Sequence, residues 1–360
     1  MSLETVEVQG DMLEGGGQIV RFSCGLAAVA GKPVRVTNVR AKRSPPGLRP
    51  QHLAALKALA EVTSGRVDGL YVGSREVYFH PGRVRAGSYR FDVGTAGSTT
   101  LVLQALLPAL AYAPGRVSLA LIGGTNNPLA PPVEYLEQVL LPALGEMGVA
   151  ASVRLRRRGF YPRGGGLVEA VVEPLSAVKP AEMVVFTEPR GVSGLAYSSR
   201  LPCRIAERMA AAAEEALRRR GYPLDELRLE CLQPGDAVCA SSPGCGIFLK
   251  ARVSPSHLWL AGDSLGEPGK PAERVGLEAA EALAGQLAAR RPVDRHLVDQ
   301  LVPWMGLARG LSRLSTPELT LHAVTCIEVS RQVLGAEYRV EGSLGEPAVV
   351  ECRGVGLTPP

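Results

Sequence analysis

The stretch Gln9-Gly10-Asp11-Met12-Leu13-Glu14-Gly15-Gly16-Gly17-Gln18-Ile19-Val20-Arg21 sets a carboxylate beside three glycines, with an arginine about one turn into the apolar run that follows. A glycine turn that opens a helix exposes backbone N–H groups to an anion, and a carboxylate next to it can hold the divalent cation that accompanies a phosphate. Taken alone, the pattern serves equally as a tight strand-to-helix connection. The next polar run, Arg40-Ala41-Lys42-Arg43-Ser44-Pro45-Pro46-Gly47-Leu48-Arg49-Pro50-Gln51-His52, holds four cations and two further polar side chains on a proline-stiffened loop. Such a loop suits a nucleic-acid end with several phosphates, although a solvated basic loop has the same composition.

A second glycine turn, Gly94-Thr95-Ala96-Gly97-Ser98-Thr99-Thr100, precedes Gln104, and Gly123-Gly124-Thr125-Asn126-Asn127-Pro128 leads to Pro131-Pro132. Both loops follow equivalent elements, which would place them at one cleft between repeats; Gln104 matters only in that combination. His322 follows the segment Glu318-Leu319-Thr320-Leu321, read as a strand, and opens a helix whose apolar positions include Ala323, Ile327, Val333 and Leu334. The positive end of a helix dipole favours the neutral, nucleophilic imidazole. The chain has no GxxxxGK[ST] loop, and none of its six lysines begins a K-x-D-G pattern, so a lysine nucleophile for ATP is not expected.

These residues need elements to position them, and the sequence repeats. After each glycine turn come a helix, a short turn, a strand, a proline-bearing loop and a second helix, and each unit closes on alternating strands such as Leu167 to Val172. The unit reads βαβαββ. A third begins near Pro271, with a helix through Ala289, and the roughly 90 residues before it fit neither neighbour. The fold class is therefore α+β, a two-layer α/β arrangement of three βαβαββ units in a large core domain with an inserted smaller α/β domain. The expected boundaries are 1–183 for the first two units, 184–268 for the insert, 269–345 for the third unit and 346–360 for a C-terminal tail.

With 360 residues, 46% of them hydrophobic, the chain can bury a sizeable core. Its net charge is +5, and its basic residues are 34 Arg and 6 Lys, a ratio that suits bidentate phosphate recognition but that a compositional bias also produces. The seven cysteines form no CxxC pair and no zinc-ligand spacing, which argues against a structural metal; Cys231, Cys239 and Cys245 are close enough in sequence to allow a disulfide. No long apolar run and no signal-peptide layout occur, so a cytoplasmic chain without a membrane span is expected.

Glu14 to Gln18, Arg40 to His52, Gly94 to Gln104, Gly123 to Pro132, and Gly159-Phe160-Tyr161-Pro162-Arg163-Gly164-Gly165-Gly166 resemble, in order and spacing, the RNA 3′-terminal phosphate cyclases, over nearly the whole chain. That resemblance implies a ligase that uses ATP to turn an RNA 3′-phosphate into a 2′,3′-cyclic phosphodiester through a histidyl-AMP enzyme and an adenylated RNA end. It assigns AMP uptake to Nε2 of His322, and the following Thr325-Cys326-Ile327 keeps the family's T-x-I spacing. It assigns ATP contacts to Gln104, Pro131, His296, Asp299 and Gln300, phosphate contacts to Arg21, Arg40, Arg43 and Gln51, and a Mg²⁺ or Mn²⁺ ion to Glu14. His296 stands where many members have tyrosine, which implies a weaker adenine contact, and Leu319-Thr320-Leu321 replaces the family's Pro-Ser-Cys. The partner implied is RNA with a 3′-phosphate; a homodimer stays open. Two alternatives are a non-catalytic relative that binds RNA in ribosome biogenesis, which would lack the histidine, and an enolpyruvyl-transferase-like enzyme, whose six such units exceed what this chain can hold.

Overall fold

The first unit runs β1 (Val6–Gln9), α1 (Gly17–Ala30), β2 (Val34–Thr37), α2 (Pro50–Thr63), β3 (Arg66–Asp68) and β4 (Val77–His80) in the computed structural model, which describes residues 4–254 and 257–359. Burial of α1 extends around most of its circumference, because it packs on α2 and on helices of both other units. It stops at Gly31, whose φ of 65° suits a residue without a Cβ. β1 pairs parallel with β2, and β2 and β3 flank β4 antiparallel, giving the order β1-β2-β4-β3.

The second unit repeats this plan with β5 (Gly87–Asp92), α3 (Thr99–Ala111), β6 (Val117–Gly123), the helical pieces α4 (Val133–Tyr135) and α5 (Leu141–Glu146) joined by a π-turn at Leu136–Leu140, then β7 (Ala151–Arg157) and β8 (Gly166–Val172), in the order β5-β6-β8-β7. Alternate residues of β6 and β8 are buried, as a sheet with one covered face requires. Gly25 of α1 meets α3 so closely that a Cβ there would crowd the Ala105 carbonyl.

The third unit is assembled from two separated pieces. Its first strand, β9 (Glu182–Met183), pairs parallel with β14 (Leu311–Thr316), and the sheet continues through β16 (Ala348–Arg353) to β15 (Glu337–Glu341). Its helices are α8 (Leu297–Leu307) and α9 (Leu321–Leu334). Between β9 and α8 lies the insert: β10 (Val192–Ser199), α6 (Arg204–Arg219), β11 (Leu224–Leu232), β12 (Gly244–Arg252), β13 (Trp259–Leu265) and α7 (Ala272–Ala288), with sheet order β11-β10-β12-β13. The mixed sheets and packed helices make the fold α+β. Among the described residues no helix is long and apolar enough to cross a membrane.

Three expectations are corrected here. The helix Ala272–Ala288 does not open the third unit; its Val275, Ala279, Ala280, Leu283 and Leu287 complete the insert's own core, and at Gly276 it approaches α6 too closely for a side chain. The strand placed at Glu318 to Leu321 is β14, earlier in the chain, and Thr320 instead caps α9 by accepting from the Ala323 N–H at 3.1 Å. Residues 346–360 are no mere tail, since β16 is an internal strand of the third sheet. The disulfide joins Cys203 to Cys231, tying the start of α6 to β11, while Cys239 and Cys245 are free.

Arg158, 1% exposed, lies where the second unit meets the insert. Its Nη1 is 2.8 Å from Glu134 and its Nε donates to Glu230 of β11 at 2.5 Å, while its guanidinium lies 3.9 Å from the ring centre of Tyr197 in β10. Asn126 donates to both Glu134 and Tyr197, at 2.8 and 3.0 Å. Removing one partner of a buried ion pair strands the other charge. Glu134→Ala is therefore expected to lower unfolding stability by about 3 kcal/mol in guanidinium titrations; a loss below about 1 kcal/mol would mean that Glu230 and the ring suffice to hold the cation.

Candidate active site

The N-termini of α1, α8 and α9 converge, and each brings one polar side chain to the junction. His322 sits in the first turn of α9 with its ring exposed, and its Nδ1 lies 2.8 Å from Oε1 of Gln18, in the first turn of α1. The same amide donates through Nε2 to Asp299 Oδ2 at 2.5 Å, in the first turn of α8. Because the amide nitrogen is committed to a carboxylate, its oxygen is left to accept from imidazole Nδ1–H. His322 Nε2 then carries the lone pair.

Asp299 is an uncommon carboxylate. Its surroundings strip it of water and push its pKa from 3.8 to about 7, with Asp294 adding to the rise and the Gln18 hydrogen bond and Arg21 opposing it. The buried Asp294 organises this end of α8: its Oδ1 accepts from the backbone N–H of His296 and Leu297, each at 2.7 Å, and Tyr135 donates its hydroxyl at 2.8–2.9 Å. That capping aims the exposed His296 at the rim and turns Asp299 and Gln300 inward. Gln300 in turn accepts from Gln104 of α3 at 2.5 Å, so a second amide bridge crosses between units. Pro131 stays within unit two, its carbonyl accepting from Thr100 at 2.8 Å.

On the other side of Gln18 lies a cationic cluster. Arg21, Arg40, Arg43 and Arg49 come from the helix and loop of the first unit, and Glu14 is the carboxylate among them. Desolvation lowers Arg21 to about 10, against the opposing pull of Glu14 and Asp299. Arg40 has a φ of 51° and spends Nη1 on the carbonyls of Pro45 and Gly47, both at 2.8 Å, so part of its guanidinium braces the loop. Arg43 pairs with the Glu14 carboxylate, whose other oxygen accepts from the Gly16 N–H at 2.7 Å. The Glu14 N–H reaches Thr325 Oγ1 of α9 at 3.3 Å, which joins the glycine turn to the helix that carries His322.

His52 is buried beneath the cluster. Its Nδ1 accepts from the Arg49 N–H at 3.0 Å, and desolvation followed by Arg21, Arg40 and Arg49 drives its pKa down to about 2. It is a neutral strut: a Cβ on Gly17 would overlap its ring. Gln51 occupies the neighbouring position in α2 and packs against the Gly94–Ser98 turn, where a Cβ on Gly97 would crowd it.

Glu14, Arg21, Arg40 and Arg43 are thus gathered beside His322, Asp299, Gln300 and Gln104. The expected cleft between two repeats is instead a meeting of all three. Gln18, Asp294 and His52 were not singled out for roles in the sequence; for Gln18 the available signal was its place two residues after Gly16 at a helix start. Among the described residues no group of three or more His, Cys, Asp or Glu is placed to hold a metal. A lone carboxylate such as Glu14 fits a cation whose other ligands are substrate phosphates.

The arrangement defines a three-unit α+β protein with an exposed, oriented histidine facing an arginine cluster. A family model described as RNA 3′-terminal phosphate cyclase matches residues 12–340. Proteins named RNA 3′-terminal phosphate cyclase are similar over nearly full length: that of Staphylothermus marinus is 45% identical over 99% of this chain and 100% of its own. That of Ignicoccus hospitalis is 45% identical over 97% and 99%, and that of Pyrococcus furiosus 42% identical over 95% and 97%. This chain belongs to the RNA 3′-terminal phosphate cyclase family. A solved EPSP synthase from Acinetobacter baumannii, 10% identical over 57% of this chain and 53% of its own with a TM-score of 0.23, is too slight a likeness to carry an argument.

A carboxyl whose folded pKa exceeds its unfolded value favours the fold at low pH, and that contribution fades as pH rises from about 4 to about 7. The ¹³C signal of the Asp299 carboxyl is expected to titrate near 7. In Gln18→Leu, which removes the hydrogen bond that favours ionisation, the midpoint should move higher; a wild-type midpoint near 4 would show that the site is wetter than its packing indicates.

Proposed function

We propose that this chain is an ATP-dependent RNA 3′-terminal phosphate cyclase of the ligase class that works through a covalent histidyl-AMP. The observation that carries the reading is the hydrogen bond from His322 Nδ1 to Gln18, which leaves Nε2 as the outward nucleophile.

In the first step Nε2 attacks the α-phosphorus of ATP; a P–N bond forms, the bond to the β-phosphate oxygen breaks and pyrophosphate leaves. Gln104, Pro131, His296 and Gln300 line the ATP side of the histidine, with Asp299 acting through Gln18. In the second step an oxygen of the RNA 3′-phosphate attacks the same phosphorus, the P–N bond breaks and an adenylated end results. Arg21, Arg40, Arg43 and Gln51 hold that phosphate and spread the transition-state charge. In the third step the ribose 2′-oxygen attacks the terminal phosphorus, loses its proton, and expels AMP as the five-membered ring closes; proximity supplies most of the drive. The need for a 2′-hydroxyl makes RNA the acceptor.

Glu14 would share Mg²⁺ or Mn²⁺ with the phosphates, and such an ion supplies charge neutralisation as pyrophosphate departs. For Glu14 to serve so, Arg43 must release it. A phosphate arriving at Arg43 provides the exchange, since the guanidinium then gains a new anion as the carboxylate is freed.

Incubation with ATP radiolabelled at the α-phosphate and Mg²⁺, without RNA, is expected to leave acid-labile, alkali-stable label on the wild type and none on His322→Ala. Gln18→Leu should fold normally but label about 100-fold more slowly, because the imidazole loses its fixed tautomer and orientation. No label on the wild type with ATP binding intact would sink the mechanism and favour a binding protein.

A further inference from the structure

The loops that join the last two strands of each unit lie at the same end as the converging helix starts, since β4, β8 and β16 each begin opposite the C-terminal end of β2, β6 and β14. Two of these hairpins present a tyrosine to solvent, Tyr71 at 64% exposure and Tyr161 at 76%. Every other Phe, Tyr or Trp of the protein is buried or half-buried. A single exposed ring needs no explanation by itself, but Tyr161 stands on an unusually braced support. Phe160 before it stacks on Tyr197 at 6.1 Å and is buried, and its carbonyl accepts from the Gly164 N–H at 2.8 Å. The Arg163 N–H reaches Ser242 of the insert at 3.4 Å, and Arg157 Nε donates to the Gly165 carbonyl at 2.8 Å. Gly164, at φ 63°, is pressed so closely on Ala96 that a side chain there would collide with the Gly94–Ser98 turn.

That same turn contacts Gln51, so the hairpin adjoins the loop assigned to the terminal phosphate. Arg157 and Arg163 of the same hairpin, four residues before and two after Tyr161, are exposed. An exposed aromatic ring on a braced hairpin that also carries exposed cations, next to the loop assigned to the terminal phosphate, is what a single nucleic-acid strand uses: a base stacks while its phosphates meet cations, with little ordering entropy left to lose. Tyr71 lies in the equivalent hairpin of the first unit, whose Gly73 adjoins Gly47 of the phosphate loop, and is followed directly by Val72 and Gly73.

We propose that Tyr161, on a hairpin that also exposes Arg157 and Arg163, is a stacking platform for a base of the RNA strand upstream of the reactive end. This rests on the cyclase reading, which puts the 3′-phosphate at Arg21, Arg40, Arg43 and Gln51. The platform grips the body of the strand and does not touch the reacting atoms. It therefore contributes affinity that grows with RNA length and tolerates any base, because every base has a stacking face.

The full-length protein would be titrated, by fluorescence anisotropy, with a 5′-labelled eight-nucleotide RNA bearing a 3′-phosphate, and by competition with a dinucleotide bearing the same end. Tyr161→Ala is expected to weaken the longer RNA by about 10- to 100-fold, the loss of one stacked base. Dinucleotide binding and labelling of His322 by ATP should be unchanged, and Tyr161→Trp should retain the affinity. Unchanged affinity for the longer RNA in Tyr161→Ala would overturn the platform, as would an equal loss for the dinucleotide or a loss seen only in Tyr71→Ala. Wild-type binding that ignores the 3′-phosphate would overturn the cyclase reading and this inference with it.

Discussion

A carboxamide has its acceptor and its donor fixed on one rigid plane, and Gln18 uses both across unit boundaries, giving its nitrogen to Asp299 and its oxygen to His322. The two contacts cannot be chosen independently. A charged or carbonyl oxygen on Asp299 turns the amide one way, and that orientation selects which imidazole nitrogen keeps its lone pair. A protonated Asp299 can instead donate to the amide oxygen, which turns the amide round and places an N–H against His322 Nδ1. With the carboxyl held near neutrality by desolvation, the reactivity of the histidine is linked to the protonation of a group it never touches.

The arginine cluster poses an electrostatic problem that the fold solves in two ways. One neighbour, His52, is kept uncharged, so it adds packing without adding repulsion. The other, Glu14, lends its charge to Arg43. What remains around Arg21, Arg40 and Arg49 is an excess of positive charge in a partly desolvated pocket, which any bound anion would relieve. The glycine turn contributes by letting Glu14 fold back on the Gly16 N–H, where a Cβ would strike the carboxylate.

The sequence shows clearly those features that are local. Glycine turns before apolar runs mark α1 and α3, a proline at its first position marks α2, and alternation marks β6 and β8, so the βαβαββ plan is legible in the first two units. The same logic misplaces α7, because a helix's apolar stripe shows that it packs and is silent on what it packs against. β16 escapes for a related reason: after the β15 hairpin the chain returns to the middle of a sheet, and pairing with β14 more than thirty residues earlier leaves no local trace. The arginines and glutamate near the front of the chain were readable as one charged cluster, since a single loop and the helix start beside it carry them. Gln18 was hidden by its ordinary type, as was the pairing of Arg158 with Glu134 and Glu230, whose meaning exists only once two domains touch.

The placement of the insert explains why the third unit looks unlike the others. In the first two units the connection from first strand to first helix is a short glycine turn, and its backbone N–H groups start the helix. In the third unit that connection has become an entire domain, and α8 starts without a glycine turn. Asp294 supplies the missing order, since one buried carboxylate accepts the free N–H groups at the start of α8 and is itself fixed by Tyr135 of the second unit. The cap sets the rotation of α8, and that rotation decides that Asp299 meets Gln18 and Gln300 meets Gln104. The insert takes part in the same helix start, since Gln286 of α7 accepts the Arg295 N–H at 3.1 Å, so the domain that interrupts the repeat helps to seat the helix that carries Asp299 and Gln300.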